Sequence, residues 1–322
     1  MMRGKICGTG SYVPEHYLDN HDIAGIVETS DEWIRERTGI VRRHIADNDT
    51  TVSMAIKAGK AALENGQVEA QELDMILVST ITPNTIIPCT ACEVQKALGA
   101  DRATCFDLSA ACSGFVFAYN TAQAYIAAGI CKTALLIGSE TLSTIVDWED
   151  RGSCILFGDG AGAAVLRAEE GEGYPWVTHS DGAKGEVLSC ESRNQTKWQE
   201  KEKERKTYVD MDGKAVFKFA VKRVPEVIGE LLEKTDFTAE DIDWFVLHQA
   251  NQRIIESIAR RMKLDISKFP MNIAEYGNTS SASIPILLDE MNKSGQLKSG
   301  QRIVMVGYGA GLSWGATLLE WM

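Results

Sequence analysis

Long uncharged apolar runs are missing from this chain. None of its 322 residues falls in a stretch that stays apolar for the roughly 20 positions a membrane-crossing helix needs. The opening Met1-Met2-Arg3-Gly4-Lys5 lacks the apolar segment of a secretory leader, so a cytoplasmic protein without a membrane partner is expected. Positive charge is also short: 33 Lys and Arg stand against 45 Asp and Glu, a net charge of -12 at pH 7. Following nucleic-acid phosphates requires a basic face, so no nucleic-acid partner is expected. The eight cysteines, at 7, 89, 92, 105, 112, 131, 154 and 190, form no paired framework. Cys89-Thr90-Ala91-Cys92 is a lone CxxC without a second pair, and Pro88 before it reads as a helix start. Reduced thiols and no metal are expected.

What is present suffices for a large core. Hydrophobic residues make up 44% of the chain, enough for one large domain or two, and strand-like and helical patterns describe an α/β protein. Residues 5–9 read as a strand. Thr29-Ser30-Asp31-Glu32 reads as a capping box opening a helix to Gly39, with Trp33 and Arg37 four apart on one face. Residues 51–65 read as a helix ended by Gly66, and 74–79 as a buried strand. Gly158-Asp159-Gly160-Ala161-Gly162 looks like a phosphate loop. It precedes a strand, whereas a dinucleotide fingerprint follows one and opens a helix, so a nicotinamide cofactor is rejected. Residues 171–212 turn polar, and the charge run 198–206 reads as a solvated loop. A helix from about 214 to 234 restores the packed pattern.

The second half repeats the first at coarse scale. The strand 74–79 has a counterpart in 243–248. The turn, helix and strand from Cys112 to Gly138 have one in Asn278, the helix 284–293 and the strand 302–307. Gly158–Gly162 matches Gly307-Tyr308-Gly309-Ala310-Gly311, each ahead of a strand. Such a duplication implies two similar α/β halves, 1–171 and 172–322, with equivalent strand ends converging on one crevice. Three polar residues fall at those ends. Cys112 stands at the first turn of the helix after the strand 103–108, where free amides and the helix dipole favour a thiolate. His248 closes an apolar strand and offers an acid, base or hydrogen-bond donor. Asn278, in a Gly-Asn turn, offers an uncharged N–H donor. Taken singly, each has a structural reading as a packed cysteine, a core histidine or a turn residue.

Together the motifs are specific. Ser109-Ala110-Ala111-Cys112-Ser113-Gly114-Phe115, His248-Gln249-Ala250-Asn251 with Arg253, and Gly277-Asn278-Thr279-Ser280 resemble the Cys-His-Asn motifs of the β-ketoacyl-acyl-carrier-protein synthase III family. Residues 8–12, 29–33, 37–40, 150–152, 157–164 and 313–315 add to the match over essentially the whole chain. The resemblance implies a thiolase-like fold, layered α-β-α-β-α, and a homodimer. It implies that Cys112 attacks an acyl-coenzyme A primer to give an acyl-enzyme. Malonyl-acyl carrier protein then loses carbon dioxide, with His248 and Asn278 donating to the enolate oxygen, and condenses with the acyl group to initiate fatty acid synthesis. Both acyl carriers are substrates, and no cofactor is implied.

By the same resemblance the amides of Cys112 and Ala310 form the oxyanion hole. Trp33 and Arg151 sandwich the adenine of coenzyme A, with Arg37 and Thr29 nearby. Gly213, Phe217, Ala250 and Asn251 line the pantetheine tunnel. Ile87 lines the acyl pocket. Lys214, Lys218, Arg253, Arg260 and Arg261 dock the acidic carrier protein. The chain departs from the family at Gly309-Ala310-Gly311, usually three glycines; if Ala310 must take a positive φ, its methyl is disfavoured. A related condensing enzyme of polyketide or secondary metabolism, with another acceptor, shares these motifs, and a noncatalytic acyl-binding homologue would share the fold.

Overall fold

A computed structural model of the chain describes residues 1–191 and 207–322; the charge run 198–206 lies outside the described residues. Two main sheets carry the fold. The first runs Met2–Tyr12, Gly160–Glu170, Thr133–Glu140, Met75–Ser79 and Thr104–Leu108; the second runs Trp176–Ser180, Ser313–Glu320, Arg302–Gly309 and Trp244–Leu247. In this direction both open with two antiparallel pairings followed by a parallel one. The first sheet alone adds a parallel edge strand, Thr104–Leu108, and that strand leads into Cys112.

Side-chain alternation along these strands generates the layers. Met75 and Leu77 point to a central core with Phe115, Val116 and Tyr119, while Ile76 and Val78 point outward to Met54, Ala58 and Val94. In the second sheet Ile303 and Met305 face the central core, and Val304 and Val306 face Val224, Val227, Ile255 and Ile258. The helices Gly114–Ala127 and Ser283–Lys293 therefore lie between the sheets, with further helices covering each outer face. This order is α-β-α-β-α.

Helix ends differ from the sequence reading where packing intervenes. The helix expected from Thr29 is Asp31–Thr38, and its cap is Ser30, whose Oγ accepts from the Trp33 amide at 3.2 Å. Thr29 is left outside the cap. Gly66 is the last residue of the helix Thr51–Gly66 but not its left-handed cap, a position Gln67 takes at φ 50°. A Cβ on Gly66 would lie 3.1 Å from the Cys7 carbonyl oxygen, so its glycine admits the neighbouring strand. The glycines 158–162 serve packing too: a Cβ on Gly162 would meet the Ile286 amide at 2.5 Å. No described helix is long and apolar enough to cross a membrane.

Candidate active site

Cys112 stands in a short 3-10 turn, Ala111–Ser113, ahead of the helix Gly114–Ala127. Ala111 holds a left-handed backbone, φ 44°, which turns the chain sharply enough to present the thiol. The turn is clamped by the other half. A Cβ on Gly307 would lie 2.8 Å from Ser113 Cα, and one on Gly309 would lie 2.8 Å from Cys112 Cβ and 3.1 Å from its Sγ. The duplicated partner is built likewise: Ser280 is left-handed at φ 50°, and a Cβ on Gly138 would meet the Ser281 carbonyl oxygen at 2.3 Å. Each half thus receives the other's turn against a glycine.

Cys112, His248 and Asn278 line one cavity of about 1260 Å³ between the halves. Asn278 is pinned by its backbone, which donates to Leu156 O at 2.9 Å and accepts from Gly158 N at 3.1 Å. Its Oδ1 accepts from the Ser280 amide at 2.9 Å, which leaves the Nδ2 donors for the cavity. His248 follows the strand Trp244–Leu247; its carbonyl accepts from Tyr308 Oη at 3.1 Å, and its Nδ1 lies 2.7 Å from Ser283 Oγ. Ser283 Oγ is also 2.9 Å from the Ser280 carbonyl and receives the Gln249 amide at 3.3 Å. Directing the single hydroxyl proton to Ser280 O satisfies every group, which puts a proton on His248 Nδ1 and leaves the Nε2 lone pair free. Ser283→Ala removes that partner while Ser280 O remains. It is expected to lower kcat about 10- to 100-fold, short of the roughly 10⁴-fold that a wholly lost histidine-orienting group can cost, with KM little changed and activity restored by Ser283→Thr; steady-state kinetics checks this.

The electrostatics overturn one expectation. Burial pushes the Cys112 thiol up to about 12; a hydrogen bond with Ser280 opposes this and the Glu140 carboxylate adds to it. Burial pushes His248 down to about 3. The resting pair is therefore a neutral thiol and a neutral imidazole. The helix-start position does not yield a standing thiolate, because closure by the second half removes the sulfur from water. In Gly309-Ala310-Gly311 the positive φ, 134°, falls on Gly311, and Ala310 is not among the left-handed residues, so its methyl meets no backbone penalty there.

Along the cavity wall stand Gly213, Phe217, Ala250 and Asn251. Asn251 caps the helix Gln252–Met262 through the Arg253 amide and donates from Nδ2 to the Arg37 carbonyl at 3.0 Å, tying that wall to the Asp31–Thr38 helix. Arg37 and Arg151 both lie over the Trp33 ring, 5.8 and 4.9 Å from its centroid, and Arg151 donates to the Glu28 carbonyl. A flat ring between Trp33 and Arg151 would need about 7–8 Å, so the guanidinium as placed leaves no room for one. The Thr29 hydroxyl beside them is buried without a partner.

Two family models match the chain: the 3-oxoacyl-[acyl-carrier-protein] synthase III model over residues 106–197 and its C-terminal model over 232–321. A β-ketoacyl-[acyl-carrier-protein] synthase III of Clostridium novyi is 49% identical over 100% of both chains. The chain belongs to the β-ketoacyl-acyl-carrier-protein synthase III family. The corresponding enzyme of Clostridium acetobutylicum is 47% identical over 98% of each chain. The solved synthase III of Aquifex aeolicus superposes with a TM-score of 0.93 at 43% identity, covering 99% of this chain and 100% of that one. A priming β-ketosynthase of a polyketide pathway superposes with a TM-score of 0.93 at 35% identity, covering 99% and 96%. The fold is thiolase-like, and the protein is an acyltransferase of the condensing class.

One family-based expectation fails in the single synthase III chain. Ile87 does not line the cavity; it is 87% exposed, and the wall nearby is made by Ile86 and Cys89. The basic residues Lys214, Lys218, Arg253, Arg260 and Arg261 are exposed. Glu256, their nearest sequence candidate for neutralisation, instead accepts from Gln252 at 2.7 Å.

Glu140 was not singled out from the sequence. It ends the buried strand Thr133–Glu140, is 0% exposed, and accepts from Ile81 N, Thr80 Oγ1, Thr82 Oγ1, Ser280 Oγ and Ser281 Oγ. Only the clustering of Thr80, Thr82, Ser280 and Ser281 around strand ends could have signalled it. Burial raises its carboxyl, opposed by those donors, so it braces the Ser280 turn and places negative charge near the thiol. Glu140→Gln is expected to cost about 1–3 kcal/mol by misdirecting donors. It should also shift the pH profile of Cys112 alkylation by iodoacetamide to lower pH, since a repelling charge is gone; an unmoved profile counts against the coupling.

Proposed function

We propose that this synthase III transfers a short or branched acyl primer from coenzyme A to Cys112 and condenses it with malonyl-acyl carrier protein, initiating fatty acid synthesis. What carries the reading is a thiol, an imidazole Nε2 lone pair and carboxamide N–H donors facing one largely apolar cavity. As Cys112 Sγ attacks the thioester carbonyl, Nε2 takes the thiol proton and returns it to the departing coenzyme A sulfur. The amides of Cys112 and Ala310 hold the tetrahedral oxyanion. For the second substrate, Ser283 can turn its hydroxyl toward Nδ1, which holds the other neutral tautomer with the proton on Nε2. In that form His248 and Asn278 donate to the enolate oxygen as carbon dioxide leaves. The enolate carbon attacks the acyl-cysteine and the Cys112 thiolate is released. Nε2–H reprotonates the sulfur and Nδ1 regains a proton, so one solvent proton is consumed per turnover.

The nucleotide of coenzyme A sits at Trp33, Arg37, Arg151 and the unpartnered Thr29 hydroxyl, with Arg151 swinging off the ring to admit adenine. The exposed basic residues of the Gly213–Leu232 and Gln252–Met262 helices dock the acidic carrier protein. The enzyme is read as a cytoplasmic homodimer without a cofactor; the exposed Ile86 and Ile87 and the edge strand Thr104–Leu108 favour an interface between copies. The likeness to the polyketide priming synthase favours one second reading, a different acceptor. Intact mass after mixing with acetyl-coenzyme A should rise by one acetyl group on Cys112, and malonyl-acyl carrier protein should discharge it as β-ketoacyl-carrier protein. Discharge by malonyl-coenzyme A alone selects the second reading, and no adduct at all overturns both.

A further inference from the structure

The CxxC set aside in the sequence is a pair in space. Cys89 is the N-cap of the helix Thr90–Leu98 and Cys92 lies in its first turn; the Cys92 amide donates to the Cys89 carbonyl at 3.1 Å. Their sulfurs are 3.4 Å apart. A closed i to i+3 turn brings its ends within about 7 Å, overlapping the roughly 4.4–6.8 Å Cα range of disulfides, and the sulfurs need only close to about 2.05 Å. Neither thiol is fully buried, and Cys89 lines the same cavity as Cys112 whereas Cys92 does not.

We propose that Cys89 and Cys92 are a reversible dithiol–disulfide site in the wall of the substrate cavity, oxidised by low-molecular-weight disulfides such as glutathione disulfide. Cys89, reached through the cavity, attacks one sulfur of the glutathione disulfide and expels glutathione thiolate. Cys92 then attacks the Cys89 sulfur and expels the second. Two cysteine thiols are oxidised, one glutathione disulfide is reduced to two glutathione molecules, and the two cysteine protons pass to the expelled thiolates. The helix amides that stabilise a thiolate in strongly oxidising CxxC sites are occupied here: Asp107 accepts from Thr90 N and Ala91 N, each at 2.8 Å. The Cys92 thiol is pushed up by its contact with Cys89, then by burial and by the charges of Cys89 and Asp107. The helix start thus lacks the free amides that favour the reduced form of strongly oxidising sites. Closure draws Cys89 toward Cys92 and out of the cavity wall, widening the cavity there. That this changes primer choice rests on the reading of the cavity as the primer's channel; the disulfide does not.

The native protein is equilibrated in glutathione buffers of rising disulfide fraction, acid-quenched, alkylated, digested and weighed. The peptide carrying Cys89 and Cys92 should become unalkylated and lighter by two hydrogens, and dithiothreitol should reverse this. Cys92→Ser should instead hold a stable glutathione adduct on Cys89. If both thiols remain alkylatable at ratios that already modify the exposed Cys190, or if Cys92 pairs with Cys105, the proposal is overturned. Primer selectivity is then compared between oxidised wild type and oxidised Cys89→Ser. A shift confined to the wild type supports the link to the channel, and a closed disulfide with unchanged selectivity overturns that link while leaving the disulfide standing.

Discussion

Cys112→Ser is expected to lose primer transfer by about 10⁴- to 10⁶-fold, the scale on which removal of a covalent nucleophile acts. On the proposed mechanism the thiol acts as a nucleophile even though burial pushes it up to about 12, because a thiolate is intrinsically reactive and the His248 Nε2 lone pair takes its proton. A hydroxyl in that place is less acidic still, and the same neutral imidazole cannot unmask it. The substitution barely alters volume, and Ser280 next to the sulfur can satisfy the new hydroxyl. Thermal stability should therefore stay within about 1 kcal/mol of the parent. Intact mass after incubation with acyl-coenzyme A is the readout, alongside a melting curve. A serine variant that condenses at the parental rate would remove Cys112 from the chemistry.

His248→Ala should slow both half-reactions by about 10²- to 10⁴-fold, the range of a general acid-base group. On the proposed mechanism it removes the proton acceptor for the thiol in the first and a donor to the enolate in the second. Asn278 keeps its own N–H donors toward the enolate oxygen, so decarboxylation retains a remnant that a double variant would lose. Because burial holds His248 down to about 3, the ring stays neutral through the physiological range. No acid limb near the ordinary histidine value should appear in the alkylation rate of Cys112, which should climb steadily with pH toward that of a raised thiol. Stability has the corresponding sign. Between about 3 and the ordinary 6.5 the unfolded chain binds more protons at this ring than the folded one, so stability rises with pH across that window. The contribution is fully present above it and lost as pH falls through it. A plateau of thiolate reactivity at neutral pH would show an ion pair in place of two neutral groups.

The strands were legible because 74–79, 133–138 and 302–307 are almost continuously apolar runs, the mark of strands covered on both faces, while their layered order came only from the family resemblance. The three polar residues were legible because each interrupts such a pattern at a strand end or a turn before an apolar helix. What escaped was decided by contacts between halves. The helix start argued for an acidic thiol, yet Gly309 brings the opposing strand so close that desolvation dominates. Glu140 reads as the polar end of a strand until Ser280 and Ser281 arrive from 140 and 141 residues away. Ser283 looks like an ordinary serine until its hydroxyl is seen between Nδ1 and a carbonyl. Ile87 was assigned by the family resemblance alone, and its 87% exposure is decided by the path of the loop, which no local pattern announces.

The exchange of turns against Gly138, Gly307 and Gly309 has a consequence for how the chain reaches its working form. Each turn packs against a surface supplied by the other part of the chain, so the two are expected to order together. During refolding, helical dichroism should return as the halves form, while sulfhydryl reactivity characteristic of the native pocket waits for docking. Competence is acquired last and, on gentle denaturation, surrendered first.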